Sequence, residues 1–146
     1  IPDMFTHLAA VAGTDNTINC EPSRKISILH IHAKDDAHVQ FKGGAGKDAV
    51  DKELITDFTS VPDTLAKWKK LNHCTDKTTT ILKEKDHQCD LSPECADHTQ
   101  IQLCTSESGG HSWPGGKKPR NRGPTPANFS ANDLIWNFVN QNKISQ

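Results

Sequence analysis

Two places in this chain carry residue types that could do chemistry together. One is a histidine bracketed by glycine pairs, His111 in GGHSWPGG at 109–116. The other is an aspartate pair closing the β-branched run SILHIHAKDD at 27–36, Asp35 and Asp36. A carboxylate that receives the imidazole Nδ1–H holds the tautomer whose Nε2 can accept a proton. Acid and histidine in that relation are two members of a Ser-His-Asp triad. Both sit just past strand-like segments, since SILHIHA runs into KDDAHVQF and TQIQLC runs into TSESGGHSWPGG. In open parallel sheets, ligands and reactive groups gather past the carboxyl ends of strands. If these two strands are neighbours, Asp35 or Asp36 meets His111 at one sheet edge, with Gly109 and Gly110 giving the backbone the freedom to turn the ring inward. Taken singly, an Asp after a strand is a turn former or cap, and a His in a Gly-rich loop is a loop residue.

The third member of a triad is missing. No G-x-S-x-G elbow occurs: Ser108 precedes a glycine pair, and Ser112 adjoins His111 with no elbow around it. A metal reading of HIHAKDDAH at 30–38 also fails. His30 and His32 share a strand face as ligands should, but an H-x-H-x-D-H run would need a carboxylate where Lys34 stands and a histidine directly after it. Two strand histidines without a matching carboxylate read as structural, so neither a metal nor another cofactor is expected.

The elements that must position these residues are legible as patterns. HLAAVAG (7–13) reads as a short buried strand ended by glycine, and KISILHIHA (25–33) as a stronger one. SVPDTLAKWKKLN (60–72) reads as a helix, with Ser60 and Asp63 forming a capping box, Pro62 in the first turn, and Val61, Leu65, Trp68 and Leu71 at helical spacing. TTTILKEK (78–85) and TQIQLCT (99–105) are further strands. SANDLIWNFVNQN (130–142) is an amphipathic helix capped by Ser130 and Asp133, with Ala131, Leu134, Ile135, Phe138 and Val139 on one face. Strands alternating with helices predict an α/β architecture on a mostly parallel sheet. The loops at 42–52 and 106–128 are long, as functional loops often are.

Composition bounds the partners. The 146 residues suffice for one domain with a core, and a net charge of −1 provides no global field for nucleic acid. The basic run GKKPRNRG at 116–123 is broken by Pro and Gly and reads as a solvated loop. No apolar run approaches the ~20 residues of a membrane span. The start, IPDMFTHLAAVAG, has no basic leader region and reads as a chain entered midway. The cysteines, at 20, 74, 89, 95 and 104, show neither CxxC nor zinc-finger spacing. They read as disulfide partners in a secreted or periplasmic protein, with an odd one left over.

Four stretches, in this order, are similar to the secreted α/β-hydrolase esterases grouped with polyhydroxybutyrate depolymerases and feruloyl esterases. ISILHIHAKDDAHVQFKGG resembles that family's strand, acid loop and D-x-x-V-x-[YF] segment. SVPDTLAKWKKLNHC resembles its helix ending in Asn-x-Cys, GGHSWPGG its histidine loop, and FSANDLIWNFV its closing helix. The resemblance implies that Asp36 is the triad acid, because Val39 and Phe41 set the register, and that Asp35 is a neighbour. It implies His111 as the general base and Trp113 and Pro114 as lining of the substrate entrance. Cys74 and Cys95 resemble the family's paired cysteines. Cys89 and Cys104 look additional and could pair with each other, leaving Cys20 for an absent partner. Ala33 stands where the family usually has Gly.

In the family the nucleophile elbow precedes the acid and histidine, and FTHLAAVAG resembles the segment just after the nucleophile helix. The resemblance therefore implies that residues 1–146 are a partial α/β-hydrolase domain, its C-terminal portion, lacking the N-terminal part with the elbow. Alone, such a portion lacks the serine and an oxyanion hole whose donors each contribute about 2.7–4 kcal/mol. It is expected to be inactive by itself, and to need the N-terminal half carrying the nucleophilic Ser or to self-associate through an exposed sheet edge. The implied substrates are aliphatic polyester or feruloyl or acetyl esters of plant polysaccharide. The competing reading is a truncated module that binds or packs without turnover.

Overall fold

The computed structural model describes residues 4–47, 58–117 and 127–141. The elements in chain order are β1 (His7–Val11), β2 (Ser27–Ala33), α1 (Val61–Leu71), β3 (Thr79–Lys83), β4 (His87–Ser92), β5 (Ile101–Ser106) and α2 (Ala131–Asn140), with a 3₁₀ turn at Ala96–His98 before β5. One five-stranded sheet runs in the order β1-β2-β5-β4-β3. Strand β2 is buried along its whole length. Its period-2 alternation sends Leu29 and Ile31 to one face and Ile28, His30 and His32 to the other. The first face packs with Cys89, Cys104 and the α2 residues Ala131 and Phe138. On the opposite face, Ile28 and Ile101 pack with Val61, Leu65 and Trp68 of α1. Each helix thus covers one side of the sheet.

Both helices begin where their capping residues dictate. Ser60 Oγ accepts the Asp63 N–H at 3.0 Å and donates to the Asp63 carboxylate at 2.6 Å. Ser130 Oγ accepts the Asp133 N–H at 3.2 Å. Each cap satisfies an N–H that the first helical turn leaves unbonded. The C-terminal Asn72 of α1 donates its amide to the Ile26 carbonyl at 2.7 Å, tying the helix to the approach of β2.

The expected fold class, the C-terminal portion of an α/β-hydrolase built on a mostly parallel sheet, is corrected by the strand ladders. β1 with β2 and β2 with β5 are parallel, while β4 with β5 and β3 with β4 are antiparallel, making a small mixed sheet. The cause is β4, HQCDLS, too polar to be read as a strand from its sequence. The short link at 84–86, closed by the Glu84 N–H to His87 carbonyl bond of 2.8 Å, joins β3 to β4 as a hairpin. So short a link can join only antiparallel strands. Cys89 and Cys104 then lie at directly paired positions on β4 and β5 and are bonded. The Cys74–Cys95 bond ties the end of α1 to the segment entering β5. Cys20 is a free thiol.

Strand β1 is also not the buried strand expected at 7–13. It lies at the sheet edge, where Leu8 is partly exposed and the preceding Met4 and Phe5 are exposed. Among the described residues, no helix is long and apolar enough to cross a membrane. The basic run at 116–123 falls outside the described residues from 118 onward, as do positions 48–52 of the loop at 42–52 and 118–126 of the loop at 106–128.

Candidate active site

The register of β2 and β5 decides what meets at the sheet edge. The two strands are parallel neighbours, and Ala33 pairs with Ser106, so the segments leaving them start side by side. The acid loop turns at once, with the Asp36 N–H bonded back to the Ala33 carbonyl at 3.3 Å. That turn buries Asp36, whose side chain has no exposed surface. Each oxygen of its carboxylate has work. Oδ1 accepts the backbone N–H groups of His38 at 2.8 Å and Val39 at 3.0 Å, and Oδ2 accepts His111 Nδ1–H at 3.0 Å. A carboxylate can only accept here, so the hydrogen on the histidine belongs to Nδ1 and the Nε2 lone pair is left free. The His111 side chain is 40% exposed, which gives that lone pair access to a reactant.

Asp35 has a separate task. Its Oδ1 accepts the Gly110 N–H at 2.8 Å, so acid loop and histidine loop are joined at two adjacent points. The glycines make this possible. Gly109 has φ of 146° and Gly110 of 59°, both in the positive region that side chains disfavour. A Cβ on Gly109 would also crowd Ala127, whose nitrogen would stand 3.2 Å away. His38 stacks on His111 with ring centroids 4.9 Å apart, limiting the imidazole's freedom to swing away.

The other sequence-derived positions separate. Trp113 is about half exposed on the same loop, and its Nε1–H donates to Asn132 Oδ1 at 3.1 Å in the first turn of α2. Pro114 is buried, and its carbonyl accepts the Ala131 N–H at 3.1 Å, so it docks the histidine loop on α2 through its backbone. Ser112 donates its hydroxyl to the Gly109 carbonyl, which commits that proton to the loop's own structure. A cleft of about 530 Å³ lies along the acid loop, lined by Ala37, Gln40, Phe41 and the lysines 34, 42 and 47 as well as Asp35 and Asp36. His111 is not part of its lining.

The strand histidines do have a carboxylate nearby, which the sequence reading missed. His30 and His32 stack with centroids 5.4 Å apart, and His30 Nε2 lies 3.2 Å from His32 Nδ1. His32 Nε2 lies 2.9 Å from the Val39 carbonyl and 3.5 Å from Asp36 Oδ2. The i,i+4 spacing of His32 and Asp36 was the available signal, but its meaning depends on a turn at 33–36 folding the chain back. Burial pushes the His30 imidazole down to about 4, and the neighbouring His32 adds to the effect. Burial also lowers His32, opposed by the Val39 hydrogen bond and the Asp36 charge. Both rings are therefore neutral near neutral pH. Among the described residues, no group of three or more His, Cys, Asp or Glu side chains could hold a metal ion.

No protein-family model matches the chain. The chain is similar to Feruloyl esterase B of Piromyces equi, with 26% identity over 122 residues. The match covers 84% of this chain but 19% of that protein, so the chain corresponds to a minor part of its relative's length. The similarity supports a relation to esterases.

Proposed function

We propose that this chain supplies the acid and the general base of a carboxylic ester hydrolase acting on feruloyl- or acetyl-type esters, with the nucleophilic serine provided by polypeptide outside these residues. The observation that carries this reading is the 3.0 Å contact between His111 Nδ1 and the buried Asp36 carboxylate, which leaves Nε2 free on the exposed side. The similarity to a feruloyl esterase supports the choice of ester. The two disulfides fit a secreted or periplasmic setting, where such bonds persist.

In this reading His111 Nε2 takes the serine hydroxyl proton as the oxygen attacks the ester carbonyl carbon. It then gives that proton to the departing alcohol oxygen, leaving an acyl-serine. Water attacks the acyl carbon in the second half, His111 again taking a proton and returning it to the serine oxygen. Asp36 stays ionised throughout, holding the ring and balancing the imidazolium charge. We assign Trp113, half exposed on the histidine loop, to contact with an aryl or sugar group of the substrate.

The test has two arms. The pure chain is expected not to hydrolyse a p-nitrophenyl ester, and turnover abolished by His111→Ala would remove the need for an outside serine. Expressed in continuity with a segment bearing a G-x-S-x-G elbow, the protein is expected to hydrolyse a feruloyl ester and to lose roughly 10⁴-fold in kcat on Asp36→Asn. Turnover unaffected by that change would overturn the role of the pair.

A further inference from the structure

We propose that His32 is a positioning residue for the Asp36–His111 pair, the inner link of a buried hydrogen-bond chain running from His30 to the exposed imidazole. The proposal rests on the acid–base reading above, and it concerns a residue to which that reading gives no part.

The hydrogen positions along the chain follow from its two ends. His32 Nε2 faces two acceptors, the Val39 carbonyl at 2.9 Å and Asp36 Oδ2 at 3.5 Å, so it carries the hydrogen. In a neutral ring Nδ1 is then an acceptor, and the His30 Nε2 that lies 3.2 Å from it is the donor. Neutrality is enforced by burial, since both histidines are almost inaccessible to water. One tautomer of each ring therefore satisfies the whole row, and the opposite tautomer of His32 would aim a lone pair at a carbonyl and a carboxylate.

What this row holds is the acid turn. The Val39 residue is gripped from both sides: its carbonyl accepts from His32, and its N–H donates to Asp36 Oδ1 at 3.0 Å. His32 is anchored on β2, the most buried strand, and is braced by His30 on one side and by Phe41 edge-on at 6.0 Å on the other. The turn carrying Asp36 is thereby referenced to the sheet rather than left to its own loop. The same N–H lies near Oδ2, the oxygen that accepts the His111 Nδ1–H, so one edge of the carboxylate is bracketed by the two rings. A side chain whose only task was to fill space at position 32 would need neither a donor nor a defined tautomer.

Nitrogen-15 NMR of the imidazole rings at neutral pH tests this in the chain itself, with no substrate or serine required. In the wild type, His32 is expected as the Nε2–H tautomer and His111 as the Nδ1–H tautomer. His32→Phe, which keeps an aromatic ring but no donor, is expected to turn His111 into a mixture of tautomers. His32→Gln, whose amide can offer an N–H close to the original Nε2 position, is expected to retain the wild-type signature. A wild type without the His111 Nδ1–H tautomer overturns the acid–base reading and this proposal with it. A His111 signature unchanged in His32→Phe overturns the positioning role and leaves the acid–base reading standing. If His32→Phe does not fold, the wild type decides: His32 found as the Nδ1–H tautomer, or its ring N–H exchanging freely with solvent, overturns the proposal.

Discussion

Acidification should unfold this protein through a buried base rather than a buried acid, and His30 sets the window. Its imidazole is 1% exposed and is pushed from the ordinary value of 6.5 to about 4 in the folded chain. In the unfolded chain it takes up a proton as pH falls through 6.5, whereas the folded chain resists until about 4. Between those limits the unfolded state binds more protons, so stability must fall as pH falls. At about 1.4 kcal/mol per pH unit, that gap amounts to about 3 kcal/mol lost by pH ~4. His32 and His7, both lowered by burial, change stability in the same direction. Asp15, held below its ordinary 3.8 by Thr17 and Lys67 despite its burial, loses its contribution only at lower pH. The assay is urea unfolding followed by tryptophan fluorescence, with the buried Trp68 as reporter. With a slope of about 2 kcal/mol per M urea, the midpoint should drop by roughly 1.5 M between neutral pH and pH ~4. His30→Gln keeps a donor toward His32 and does not titrate, so it should remove most of that drop. A wild-type midpoint flat across the window, or a drop unchanged in His30→Gln, would refute the reasoning.

Two further outcomes follow from close contacts in the acid turn and between β4 and β5. Gly46→Ala would place a Cβ 1.8 Å from the Ala37 carbonyl oxygen, which nothing flexible can relieve. Since Gly46 N–H also bonds the His38 carbonyl at 2.9 Å, the acid turn must shift. The His38 and Val39 amides should then lose hydrogen-exchange protection while the amides of α2 keep theirs, and uniform protection would count against a close approach there. Replacing Cys89 and Cys104 together by alanine removes a crosslink of sequence separation 15 between β4 and β5. The expected cost is about 3 kcal/mol, read as a lower urea midpoint; an unchanged midpoint would mean that the hairpin holds its place without the bond.

How much of the site could be read in advance depended on how far apart its parts lie in the chain. Residues 35, 36 and 111 were legible as candidates because acids and histidines past strands are local patterns. Pattern alone does not separate Asp35 from Asp36, and the structure gives each its own bond: Asp35 to the Gly110 backbone, Asp36 to the His111 ring. The strand histidines show no matching carboxylate in the linear string, because nothing there shows that a turn at 33–36 brings Asp36 back to His32. Pro114 is buried against the start of α2, a contact between segments that only folding joins.

By itself the sequence determined the two helices, their Ser60 and Ser130 caps and the buried strand β2. Each rests on interactions within a few residues, a side-chain oxygen reaching an N–H three places on or an alternation of period two. Only the tertiary structure decided that the sheet is mixed, because β4 is held by its hairpin and by Cys104 rather than by apolar pattern. It alone decided that β2 and β5 are neighbours, and hence that an aspartate and a histidine 75 positions apart share one hydrogen. Strand order is a property of the whole packed chain, since it depends on which faces the two helices can cover at once.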